Sequence, residues 1–139
     1  MFLPYITEVR LVGVLDRGQP NRERILIRPL VVTNLQNFVL GIGITNDNIN
    51  ITPLSGFIYY FDNVIVEPAS WVVVYTSGGT TQISKIPTTH EIAYSYHWGN
   101  STVLFAQPNV VPVLFRVSEM SFPDAVQPVL PAPAPATAG

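Results

Sequence analysis

The sequence predicts an all-β fold, an antiparallel β-sandwich that continues into an extended tail. Short runs of β-branched and aromatic residues recur along the chain, and Gly, Pro, Asn and Asp separate them, as in sandwiches and barrels. No stretch keeps the 3.6-residue periodicity of an amphipathic helix. From Phe122 onward Pro alternates with Ala and Val, which is typical of an extended segment without a core of its own.

The chain has 139 residues, which is the length of one domain. We expect the β-sandwich to occupy residues 1–121 and a Pro/Ala-rich tail or linker to occupy residues 122–139. The predicted strands, in order, are residues 6–15, 25–32, 38–44, 56–61, 63–66, 71–75, 91–97, 102–105 and 110–117.

Turn residues set the boundaries of the first three strands. The first strand stops at residues 16–21, a cluster of turn residues. The second is interrupted by Pro29, which has no N–H group for the ladder and therefore indicates an edge or a bulge. Gly41 and Gly43 in the third strand indicate a bulge or a close approach of the backbone. The polar residues 45–50 then predict an exposed loop.

The later strands are defined by aromatic and β-branched runs. Residues 71–75 are continuously apolar, as in a central strand, and Gly78-Gly79 shortly afterwards predicts a hairpin turn. We expect Trp71 to be mostly buried in this central strand and Trp98 to be mostly buried at a turn against the end of the sandwich.

Charge is scarce in this chain. Only 12% of its residues are charged and 47% are hydrophobic, whereas roughly a quarter are charged in an ordinary domain. A domain of this size cannot bury all of its apolar surface, so part of that surface is expected to face another protein. The net charge of −2 provides no general attraction for nucleic acid. The absence of cysteine excludes disulfides and thiolate chemistry.

The first residues lack the pattern of a signal peptide, and the longest apolar runs are too short to cross a bilayer. We therefore expect a protein without a membrane span, cytoplasmic or associated with a virion.

Five segments carry short motifs at consistent places in the strand order: Ile6-Thr7-Glu8-Val9-Arg10, residues 25–34, Leu40-Gly41-Ile42, residues 66–75 and residues 98–105. Together they span about residues 5–117 and resemble the lamin-tail domain family. The chain departs from the family at Ala69, where Gly is usual. The resemblance implies an immunoglobulin-like β-sandwich that serves protein association, with no catalytic centre, and it assigns no functional residue.

Tyrosines on the predicted strands are the candidates for an interface. Residues 57–61 and 94–98 alternate so that aromatic rings project from both faces, and only one face of each strand belongs to the core. Aromatic rings on the other face suit a protein interface. The candidate interface residues are Tyr59, Tyr60, Tyr94 and Tyr96, with Val126, Val129 and Leu130 as apolar anchors in the tail.

An arginine-rich segment provides the alternative. Five of the seven basic residues lie between Arg10 and Arg28, and Arg17, Arg22 and Arg24 are the candidate contacts for a phosphate backbone. Asp16 and Glu23 interrupt this segment, so a hairpin end that holds its own ion pairs is the competing interpretation.

No catalytic, cofactor or metal site is predicted. His90 and His97 are an odd number of residues apart, so on one strand they would point to opposite faces. The loop around Asp47 offers oxygen ligands but lacks the Gly and the distal Glu of a calcium loop, which favours an Asx turn. The sequence therefore predicts a non-enzymatic module that self-associates or docks into a larger assembly. A filament, shell or virion subunit, or an adaptor domain, would fit this description.

Overall fold

The structure is a computed structural model that describes residues 5–123. Those residues are all-β, with one turn of 3₁₀ helix at Leu35–Asn37. The strands are β1 (Val9–Leu15), β2 (Arg24–Pro29), β3 (Thr33–Asn34), β4 (Phe38–Ile44), β5 (Thr52–Tyr60), β6 (Ile65–Val66), β7 (Ser70–Tyr75), β8 (Gln82–Lys85), β9 (Ile92–His97) and β10 (Val110–Arg116).

Two sheets pack around one core, which confirms the predicted sandwich-like all-β class. The larger sheet has the strand order β1-β2-β7-β9-β8 and the smaller has the order β10-β4-β5, while β3 and β6 form a short separate pair. The pairings within both sheets are antiparallel apart from β7 with β9, which run parallel. The prediction of purely antiparallel pairing was therefore wrong at this position, because β7 and β9 are joined by a long connection that contains β8.

The core follows from the period of two along each strand. Ile25 and Ile27 of β2, like Val72 and Val74 of β7, are buried because alternate side chains point to one face of the sheet. Phe38, Leu40 and Ile42 face them from the smaller sheet. The remaining buried apolar side chains of the core are Val9, Leu35, Phe61, Val66, Tyr96 and Phe105.

The connection from β7 to β8 corrects two predictions. Gly78-Gly79 is not a hairpin turn, because β9 lies between β7 and β8 and the chain must pass across its end. A Cβ atom on Gly79 would lie 2.4 Å from Nδ1 of His97, so the crossing segment packs on the imidazole ring and requires glycine. The strand β8 was not predicted from the sequence, and all four of its residues are exposed. The strand predicted at residues 102–105 is a loop.

The two tryptophans are both partly buried, but they lie in different places. Trp98 packs, partly buried, against the core. Trp71 lies on central strand β7 as expected, but its side chain points outward and lies under the guanidinium of Arg28, 4.5 Å from the ring centroid. Trp71 is partly buried on the outer side of the sheet because its neighbours Val72 and Val74 occupy the inward positions of the strand.

A buried carboxylate closes one end of the sandwich. Glu23 is 1% exposed, and its two oxygens accept four hydrogen bonds. Oε2 accepts from the backbone N–H groups of Gly18 at 2.7 Å and Phe105 at 3.0 Å. Oε1 accepts from the hydroxyl of Thr76 at 2.8 Å and from the N–H of Leu104 at 2.7 Å. One side chain thus joins the β1–β2 turn, the end of β7 and the loop before β10.

No ion pair reaches Glu23 among residues 5–123. Its charge is stabilised by hydrogen-bond donors alone, three of which belong to the backbone. Hydrogen bonds to a charged group contribute about 1.5–3 kcal/mol each, so these four contacts offset the desolvation of the carboxylate.

We expect Glu23→Gln to lower the free energy of unfolding by about 3 kcal/mol. The amide NH2 group of Gln is a donor, and it would face N–H and O–H groups that are themselves donors. Denaturant titration measures this loss. Glu119→Gln, at an exposed position, is the matched control and should change stability by less than about 0.5 kcal/mol. Equal stability of the two variants would contradict the role assigned to Glu23.

Candidate association surface

The outer face of the smaller sheet is apolar and free of charge. Since Leu40, Ile42 and Leu114 pack inward, the residues that alternate with them point outward. None of the residues from β4, β5 or β10 on this side is charged. We call this surface the apolar face, and it consists of Val39, Gly41 and Gly43 of β4, Ile58 and Tyr60 of β5, and Val111, Val113 and Phe115 of β10.

Two glycines let the neighbouring side chains lie across the middle of this face. A Cβ atom on Gly43 would be 2.6 Å from Cγ2 of Ile51 and 3.0 Å from Cγ2 of Val113. A Cβ atom on Gly41 would be 3.4 Å from Cε2 of Phe115. Apolar atoms from the flanking segments therefore cover the backbone of β4.

The outer face of the larger sheet is charged and aromatic by contrast. Arg28 lies over Trp71 and forms an ion pair with Glu91, which holds the pKa of that carboxyl below its usual range. Tyr75 stacks on His97, with 5.0 Å between ring centroids. The charged groups on this side, among them Arg10, Arg28 and Glu91, leave the two outer faces of the sandwich chemically different.

The predicted interface tyrosines divide between surface and core. Tyr60 is 71% exposed and lies on the apolar face. Tyr59 points inward, 5.1 Å from the ring of Phe61, and burial, assisted by the charge of Asp62, raises the pKa of its hydroxyl to about 12. Tyr94 is partly buried and packs on the core.

Tyr96 is 2% exposed, so assigning it to an interface was wrong. The aromatic pattern of β9 allowed either face to be the inner one, and pairing with β7 places Tyr96 beside the buried Val74. Val126, Val129 and Leu130 lie outside the described residues.

The three candidate anion contacts are engaged by groups of the protein itself. Arg24 donates to Oδ2 of Asp16 at 2.7 Å, and Arg22 lies 3.6 Å from the same oxygen. The hydrogen bond from Arg24 lowers the pKa of Asp16. Arg17 donates to the carbonyl of Val110 at 2.9 Å and lies over the ring of Phe105. This arrangement matches the hairpin end with internal ion pairs.

The histidines do not form a cluster. His97 is the last residue of β9, whereas His90 lies in the turn before that strand, with a φ of 63°. Within residues 5–123 no three of the side chains His, Cys, Asp and Glu come together as metal ligands.

Asp47 forms the predicted Asx turn. Its Oδ1 accepts from the backbone N–H groups of Ile49 at 2.9 Å and Asn50 at 2.8 Å. These hydrogen bonds lower the pKa of Asp47 to about 2.

Sequence reasoning missed the apolar face as a unit, although a signal was present. Residues 38–44, 52–60 and 110–115 contain no charged residue on either side of the strand. A strand with one solvated face normally alternates apolar with polar residues, so charge-free strands indicate two covered faces.

Comparisons with known proteins returned no similarity: no family model, curated protein or solved structure matches this chain. The resemblance to the lamin-tail family therefore stays a prediction. Among the described residues, no helix has the length and apolarity needed to cross a membrane.

The hydrogen bonds of Asp47 predict acid sensitivity in its loop. A folded pKa near 2, below the ordinary 3.8, stabilises the protein above pH 4, and this contribution disappears as the pH falls from about 4 to 2. We expect the melting temperature of Asp47→Asn to fall less over this range than that of the unmodified chain. Asp62→Asn, in an exposed loop, is the control. Parallel acid profiles for Asp47→Asn and the unmodified chain would refute this assignment.

Proposed function

We propose that this protein is a non-enzymatic structural module that associates with copies of itself through the apolar face. The observation that supports the proposal is the complete absence of charge from the outer side of β4, β5 and β10. A contiguous apolar surface on a soluble domain marks a contact with another protein. A subunit of a filament, shell or virion fits this surface, as does an adaptor domain that docks into a structural partner.

The exposed side chains of Ile58 and Tyr60, with the half-buried valines and Phe115 beside them, provide the driving force for association. Burying a Val, Ile or Phe side chain contributes about 1.5–3 kcal/mol relative to leaving it exposed. Tyr60 adds a large ring with a polar end, the kind of residue that dominates binding energy at interfaces. The face therefore contains an aromatic anchor surrounded by aliphatic groups.

Nucleic-acid binding through Arg17, Arg22 and Arg24 has less support. Asp16 pairs with two of these arginines and Arg17 is bound to a carbonyl, so a phosphate would have to displace contacts that already exist. Binding of that kind would weaken steeply with salt, whereas apolar association would hold or strengthen.

Val39→Lys tests the proposal by placing a charge at the centre of the apolar face. We expect this variant to remain folded and to lose self-association, because the ammonium group would have to be desolvated at the contact. Val73→Lys is the matched control, since Val73 also points outward, partly buried, from the central strand of the larger sheet. Sedimentation velocity and circular dichroism report mass and folding. Equal association of the two lysine variants would refute the apolar face as the contact.

Deleting residues 122–139 tests the separate role proposed for the tail. We expect the truncated chain to keep the β-sandwich and to assemble more weakly, because Val126, Val129 and Leu130 are apolar anchors without charge around them. Circular dichroism and light scattering measure the two effects. If the truncated chain assembles as well as the full chain, residues 122–139 are only a linker.

A further inference from the structure

Sheet edges expose unpaired N–H and C=O groups, and this fold protects three of its four main edges. Strand β8 has only four residues and includes Lys85. Strand β1 carries Arg10 and has an irregularity between Leu11 and Gly13. Strand β10 contains Pro112, and the carbonyl of Val110 is bound by an arginine side chain.

The fourth edge, β5, lacks such protection in its second half. Pro53 and the irregularity near Gly56, where φ is 95°, interrupt the first half of the strand. Residues 58–60 follow without a charge, a proline or an irregularity. Within residues 5–123, β5 pairs only with β4, and no other backbone hydrogen bond reaches it.

Side chains at this open edge are also exposed. Ile58 is 50% exposed and Tyr60 is 71% exposed, and both belong to the apolar face. Phe57 beside them is 38% exposed. The unpaired backbone and the apolar side chains thus occur at the same place, so one partner strand would satisfy both.

We propose that residues 58–60 of β5 pair antiparallel with the same residues of a second copy of this chain, so that Tyr59 lies opposite Tyr59 and Ile58 lies opposite Tyr60. The proposal rests on the self-association described above and specifies its geometry. The two three-stranded sheets would join edge to edge into one sheet, and the two apolar faces would become continuous across it.

The absence of charge from β5 favours a second copy of this chain as the partner strand at this edge. In a two-fold interface each group lies near its own copy, so a charged strand would repel itself. Strand β5 carries no charge of either sign, and a copy of it therefore meets no like charge and leaves no ion unpaired. A partner with a charged strand would have to desolvate its charge against Ile58 and Tyr60 without an opposite charge in β5.

Cysteine scanning of the full chain tests this geometry, because the natural sequence has no cysteine. In an antiparallel pair the directly opposed Cβ atoms lie about 4.5–5.5 Å apart, a spacing close to that of a disulfide. We expect a mixture of Ile58→Cys and Tyr60→Cys chains to give a disulfide-linked dimer on oxidation. The mixture is needed because Ile58 of one copy would lie opposite Tyr60 of the other.

Two controls make each outcome decisive. Ile83→Cys lies on the protected edge β8, where the isoleucine is 66% exposed, and it should give no dimer. Val113→Cys lies on β10, at the edge of the apolar face opposite β5, and reports contact between two apolar faces. Dimers from Val113→Cys but from none of the β5 variants would overturn the edge pairing and leave the proposed function intact. A chain that is monomeric at all concentrations would overturn both.

Discussion

The Glu23 carboxylate is the interaction on which the closed end of this sandwich depends. It binds three segments that are distant in sequence, namely Gly18, Thr76 and the adjacent residues Leu104 and Phe105. The loop before β10 has no strand partner, so these hydrogen bonds fix where it lies. Phe105, whose N–H group donates to Glu23, has its side chain fully buried in the core. The position of β10, and with it one side of the apolar face, follows from this connection.

The few charges of the chain are concentrated away from the smaller sheet. Ion pairs link Asp16 to Arg22 and Arg24, Glu91 to Arg28, and Glu8 to Arg116. Most of these groups lie on the larger sheet or at its turns, where opposite charges hold each other. The strands β4 and β5 contribute no charge at all. The protein therefore has one solvated face and one face whose chemistry suits burial.

The proposed edge pairing and the apolar face support each other physically. Backbone hydrogen bonds across β5 would fix the register and orientation of two copies, while apolar side chains supply most of the driving force. The joined sheet would present an apolar face twice as wide, which is available to further copies. This combination would allow a small chain to build larger assemblies.

Much of the fold could be predicted from the sequence because period-two alternation is strong in strands such as β2 and β7, where Ile25, Ile27, Val72 and Val74 mark the inner side. The parallel pairing of β7 and β9 could not, since it depends on where a weak, exposed strand such as β8 is inserted.

Aromatic residues occur on both sides of β9, so the sequence did not indicate which side is buried. For that reason Tyr96 was predicted at an interface although it is buried in the core. Glu23 was recognised only as a charge among arginines, because its four partners are distant in the sequence.

Sedimentation equilibrium of the unmodified chain over a wide range of concentration, at low and high salt, measures self-association directly. We expect a mass above the 15.3 kDa of a single chain, rising with concentration and not reduced by salt, since apolar association is not screened. A mass of 15.3 kDa at every concentration would contradict self-association through the apolar face.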